Sequence, residues 1–84
     1  MSQIEKLLKK FVDNPSKVRY AGIKKVLIFL GFESIPIKGS HVKWKHHGMP
    51  SDIVIPVHHN ECKNFYKEQV YKQVKELIKN YHEN

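Results

Sequence analysis

Residues 37–46, IKGSHVKWKH, set an imidazole directly after a Gly-Ser pair and then alternate lysines with Val42 and Trp44. Histidine exchanges protons near neutral pH, which makes His41 a candidate general base. In a strand from 41 to 46, His41, Lys43 and Lys45 share one face, and Val42, Trp44 and His46 share the other. Val42 and Trp44 belong against a core, so His41, Lys43 and Lys45 are expected to face solvent. One imidazole beside two ammonium groups is a seat for a phosphodiester, because the ammoniums can hold phosphate oxygens and stabilise developing negative charge. Gly39 permits positive φ and Ser40 can bond locally, so the turn before the strand can fix how His41 is aimed. Lys38, on that turn, is a weaker phosphate ligand. The plainer alternative is that KGS is only a turn, His41 an exposed strand residue and the lysines solvated charges.

His58 is the natural second histidine. It follows Pro56 by two and has the parity opposite to Ile53, Ile55 and Val57, so it can share the open face with His41 and contact substrate or move a proton; otherwise it is a polar strand end. The rival chemistry is metal binding, since the pairs His46-His47 and His58-His59, with Cys62, supply nitrogen and sulfur donors of the kind zinc accepts. There is no paired Cys-x-x-Cys, and a meander would separate the two histidine pairs, so no metal and no cofactor is expected. Cys62 reads as a small buried thiol.

The elements that must carry these residues follow from periodicity. SQIEKLLKKFV opens with a capping box, Ser2 and Glu5, followed by Ile4, Leu7, Leu8 and Phe11 at helical spacing. DNPS at 13–16 breaks that helix. A second helix places Tyr20, Ile23, Val26, Leu27 and Leu30 on one face and ends at Gly31, with Gly22 weakening its start. From Phe32 the period changes to two, and FESIPI, HVKWKH and SDIVIPV read as three short strands of an antiparallel meander, with Pro36 marking an edge. A last helix from Phe65 to Asn84 carries Tyr66, Val70, Val74, Leu77, Ile78 and Tyr81 as its apolar stripe, with Lys67, Lys72, Lys75 and Lys79 placed mostly off it. The fold class is therefore α+β, a two-layer sandwich in the order α-α-β-β-β-α, with a three-stranded antiparallel sheet and its helices on one face. The core is expected to draw on Leu7, Leu8, Phe11, Ile23, Val26, Leu27, Leu30, Trp44, Ile53, Ile55, Val70, Val74, Leu77 and Ile78.

Composition narrows the partners. With 84 residues the chain is read as one domain, 1–84, with room for one core and one site. Fifteen Lys and Arg against eight Asp and Glu leave a formal charge of +7, and the pI near 9.6 makes a polyanion, nucleic acid first, the partner to consider. The longest apolar run, VLIFL at 26–30, is far short of a membrane span, and no signal-peptide pattern is visible. A lone cysteine cannot form an internal disulfide and fits a reducing compartment, so the protein is read as cytoplasmic and without a membrane partner.

Taken together, Leu30-Gly31-Phe32, Gly39-Ser40-His41 with Trp44 three residues on, and Ile55-Pro56-Val57-His58 before a closing helix resemble the HicA family of toxin ribonucleases. The likeness covers residues 19–80 and leaves 1–15 as an extra N-terminal helix. It implies a fold like that of a double-stranded-RNA-binding domain and metal-independent endoribonuclease cleavage of mRNA with His41 as the catalytic group. It also implies a toxin–antitoxin system in which a HicB-type antitoxin covers the site. Lys38, Gly39, Ser40, Lys43, Lys45 and His58 are then the residues expected on RNA. The alternative function, from a different class, is a non-catalytic RNA-binding module that holds phosphates and 2′-hydroxyls without cutting.

Overall fold

The computed structural model describes residues 2–83. Its elements are α1 (Gln3–Asp13), one 3₁₀ turn (Pro15–Lys17), α2 (Tyr20–Phe29), β1 (Glu33–Pro36), β2 (His41–Lys45), β3 (Ile53–Pro56) and α3 (Asn64–Glu83). This is the α+β order that the change of period predicts. Met1 and Asn84, at the ends of the helical segments read from the sequence, lie outside the described residues. Among the described residues no helix is long and apolar enough to cross a membrane.

Both ends of α1 and α2 have identifiable causes. The Ser2 hydroxyl accepts the Glu5 N–H at 3.2 Å and the Glu5 carboxylate accepts the Ser2 N–H at 3.2 Å, completing the predicted capping box. Pro15 stops α1, and its ring is buried. At the far end of α2 the Phe32 N–H reaches back to Leu27 O (2.9 Å) and the Gly31 N–H to Ile28 O (3.0 Å), with Gly31 at φ +99°. This paired arrangement satisfies two terminal carbonyls and needs a left-handed residue, which explains Leu30-Gly31-Phe32 physically. Gly22 is also accounted for, because a Cβ there would lie 2.9 Å from Val18 Cγ1 and 3.1 Å from Leu7 Cδ1. The close packing of α1 against α2 requires the residue that weakens the helix start.

The strands run β1-β2-β3, all antiparallel. Each is shorter than its alternating run in the sequence. Phe32 is held in the cap of α2, the His46 ring bonds back to that cap, and the Val57 N–H turns to Ser40 O. β1 is an edge strand exposed along its whole length, consistent with Pro36 at its end.

The inner face of β2 and β3 packs Trp44, Ile53 and Ile55 into one cluster with Leu8, Phe11, Ile23, Val26, Leu27, Val70, Val74 and Ile78. Leu7, Leu30 and Leu77 sit half-buried at its margin, while Val18, Tyr20, Phe32 and Cys62 belong to it as well. Trp44 is 1% exposed. Its indole N–H is buried without an acceptor at hydrogen-bond geometry, though it lies near enough to the Tyr20 hydroxyl to oppose the rise that burial imposes on that phenol. Lys67 corrects the sequence reading: only 6% exposed, it lies within the packed layer rather than off the stripe.

Candidate functional site

The register sets the outer face of the sheet residue by residue. His41 stands opposite Pro56, Lys43 lies between Ile35 and Val54, and Lys45 pairs with Glu33. Partners in an antiparallel pair point to the same face, so these side chains share the side of the sheet away from Trp44. His41 and Lys45 are exposed and Lys43 is half-buried, with its ammonium 3.9 Å from the Asp52 carboxylate. Ile35 and Val54 beside it are exposed as well. The face therefore offers cations beside aliphatic side chains, with Glu33 opposite Lys45 and Asp52 near Lys43, a surface that can hold phosphate oxygens.

The Gly-Ser-His turn is held from two directions. Gly39 adopts φ +73° with open space around the position a Cβ would take, so backbone conformation alone requires glycine there. The Ile37 N–H donates to His41 O at 3.1 Å and closes the hairpin. Ser40 is then pinned to β3, since its carbonyl accepts the Val57 N–H at 2.8 Å and its hydroxyl lies 3.4 Å from His58 Nε2. The two short motifs, separated by a strand and a turn in sequence, thus meet at Ser40. Lys38 is exposed on the same turn.

His58 lies beyond the end of β3 rather than inside it. It opens a two-residue reversal in which His58 and Glu61 exchange N–H···O bonds of 2.8 and 2.9 Å, while His59 and Asn60 take left-handed φ values of 52° and 62°. Two consecutive left-handed residues define the tight turn that matches strand twist, and Asn and His are among the residues that tolerate it. Parity alone does not bring His58 to Ser40; this reversal does.

Glu61 anchors the reversal to the core. Its carboxylate accepts the Cys62 N–H at 2.9 Å and the Tyr20 N–H at 3.1 and 3.3 Å, and it pairs with Lys67 Nζ at 3.1 Å. Burial would raise this carboxyl, but the Cys62 N–H, the Lys67 ammonium and the Tyr20 N–H outweigh it and hold the group below its ordinary value. The position is apt, because Arg19 offers α2 no side-chain cap and the carboxylate meets the positive end of that helix. Glu61 and Lys67 were missed in the sequence as parts of the site.

The histidine pairs that raised zinc are engaged otherwise. His46 accepts the Gly48 N–H on Nδ1 (2.9 Å), so its proton sits on Nε2 and bonds Leu30 O (2.9 Å). His47 stacks on the His46 ring at 4.7 Å. Burial pushes the Cys62 thiol up, with Lys67 opposing and Glu61 adding to the rise. Among the described residues no three His, Cys, Asp or Glu side chains gather as a metal ligand set.

No curated protein and no solved structure matches this chain. The family model described as the HicA toxin of bacterial toxin-antitoxin matches residues 21–76, a span that contains the Leu-Gly-Phe cap, the Gly-Ser-His turn, all three strands and the Glu61 reversal, and leaves α1 outside it. The match covers most of the chain and falls on the residues that build the site: the chain belongs to the HicA toxin family of bacterial toxin–antitoxin systems.

Proposed function

We propose that the protein is a metal-independent endoribonuclease that cleaves mRNA, with His41 as its catalytic group, and that it acts in the cytoplasm as the toxin of its pair. The observation that carries this reading is the junction at Ser40, which fixes the residue before His41 to the His58 turn while His41 itself stays exposed beside Lys43 and Lys45. RNA brings its own nucleophile. His41 accepts the proton of a 2′-hydroxyl as its oxygen attacks the adjacent phosphorus; the bond from phosphorus to the 5′-oxygen breaks, leaving a 2′,3′-cyclic phosphate and a 5′-hydroxyl end. The leaving oxygen takes a proton from His58 or from water. One positioned histidine accounts for about 10²–10⁴ of the rate.

Lys43 and Lys45 hold the phosphate oxygens and stabilise the charge that develops on them, and Lys38 extends the basic track past the turn. Gly39 and Ser40 act by position, bringing backbone close to the ribose-phosphate chain. A HicB-type antitoxin with an acidic surface is the partner that this face would accept, since rim charges of opposite sign speed association and select the partner.

Incubation of the purified protein with a long unstructured RNA in EDTA tests the reading, beside a His41→Ala variant with an unchanged melting temperature. Cleavage by the wild type and none by the variant is the expected result. If neither cuts while both bind RNA equally, the protein is a binding module and His41 is a strand residue.

A further inference from the structure

α2 is apolar on more sides than the core uses. Ile23, Val26 and Leu27 are fully buried, yet Ile28 is 59% and Phe29 40% exposed beside them. Adjacent large apolar residues left open on a helix mark a candidate contact surface. The uncovered side of α2 forms, with α1, a groove of about 760 Å³ whose floor includes Ile4, Ile28 and Phe29 and whose rim carries Lys6, Lys10 and Lys25; among the described residues no carboxylate lines it. The Phe29 ring packs edge-on with Tyr81 at 5.0 Å, which holds that part of the floor in place. α1 lies outside residues 21–76. The groove is thus built partly from a segment beyond the matched family core.

We infer that this groove docks an acidic amphipathic helix of a partner protein, on the helical layer and apart from the sheet face that carries His41. A helix with apolar residues at i, i+3, i+4 and i+7 fills such a floor, and carboxylates on its flanks meet the lysine rim. RNA would use the lysines, but Ile4 and Ile28 offer a base no stacking face and the one aromatic of the floor, Phe29, already has its ring packed against Tyr81. A second copy of this chain in a two-fold arrangement would set lysine rim against lysine rim. The toxin–antitoxin reading enters only in saying who supplies the helix, namely the antitoxin.

The test is fluorescence anisotropy on the full chain with a labelled synthetic helix carrying Leu at i, i+3, i+4 and i+7 and Glu elsewhere, against a scrambled peptide of the same composition. Binding of the patterned peptide is expected, weakened at least about tenfold by Ile28→Asp and by Lys6→Glu with Lys25→Glu, and unchanged by His41→Ala. All three groove positions are exposed, so the variants should melt as the wild type does. The inference is overturned if the patterned peptide fails to bind, if the scrambled one binds as well, or if Ile28→Asp leaves binding intact. It is equally overturned if Ile28→Asp instead abolishes self-association in sedimentation, or attachment to vesicles of anionic lipid. Because the readout involves no cleavage, loss of the ribonuclease assignment leaves this result standing, and the reverse also holds.

Discussion

Replacing Glu61 by Gln removes one negative charge and keeps the side chain's length and one acceptor oxygen. What it strands is the Lys67 ammonium, whose side chain is 7% exposed and whose 3.1 Å partner is that carboxylate. Removing one partner of a fully buried pair costs about 3–5 kcal/mol, whereas an exposed pair is worth about 1 or less. Glu61 is itself 41% exposed, which places this case between them, at about 2 kcal/mol once the weakened Tyr20 and Cys62 N–H bonds are included. For a domain of this size that is a fall of roughly 10 °C in melting temperature, read by circular dichroism. A Glu61→Gln, Lys67→Met double variant should lose less than the sum of the single changes, because no buried cation is then left unpaired. The pH dependence carries a sign. The Glu61 carboxyl is held below its ordinary value, so its contribution is present above the unfolded carboxylate range and is lost as pH falls through the lower, folded value. The wild type should therefore lose its advantage over Glu61→Gln on acidification below about pH 4.3, the ordinary glutamate value. If Glu61→Gln melts within about 2 °C of the wild type at pH 7, the carboxylate is not the anchor of the His58 turn and the positioning argued from it fails.

Three further outcomes follow from the same geometry. Gly39→Ala should lower the melting temperature by several degrees, from the roughly 1–2 kcal/mol that a Cβ costs at φ +73°, and Gly39→Asn should recover part of that because asparagine tolerates left-handed φ and its longer side chain meets open space there. Trp44→Ala should cost about 3–5 kcal/mol and leave little folded protein, while its strand neighbour Lys45→Ala should hold stability within about 0.5 kcal/mol and weaken RNA binding with a shallower salt dependence in a filter assay. His46→Leu should cost about 1 kcal/mol by removing the donor of the part-buried Leu30 O, since the exposed Gly48 N–H can turn to water, and added EDTA should leave the wild-type melt unchanged.

Where one periodicity governs a segment, the sequence was enough. The capping box of α1, the Gly31 stop of α2, the meander and the outward face of β2 all follow from spacing that a single element can satisfy. Lys67 shows where the reading was incomplete: it stands three residues before Val70 and seven before Val74, on the inward stripe, and its charge argued it away. Its partner was invisible because Glu61 lies in a reversal whose left-handed residues, His59 and Asn60, lack the Asn-Gly signature of such turns. His58 was found by parity, but its approach to Ser40 depends on that reversal. The exposed side of α2 was likewise hidden, since an apolar run tells nothing of which side another element leaves open.

The orientation of His41 is a matter of register more than of local turn geometry. Sliding β2 by one residue against its neighbours would turn Lys43 inward and Trp44 outward, because side chains alternate with period two. Trp44 is 1% exposed, and the cost of bringing that ring into water, with two lysines taking its place in the core, exceeds anything the turn contributes. The register is also locked from outside the sheet: His46, one step past β2, is bonded to the cap of α2, while Ser40, one step before it, is bonded to Val57. Both ends of the strand that carries His41 are thus tied to other elements. The backbone of residue 41 therefore keeps one position relative to Lys43 and Lys45 on the outer face, and that placement is what the role proposed for His41 depends on.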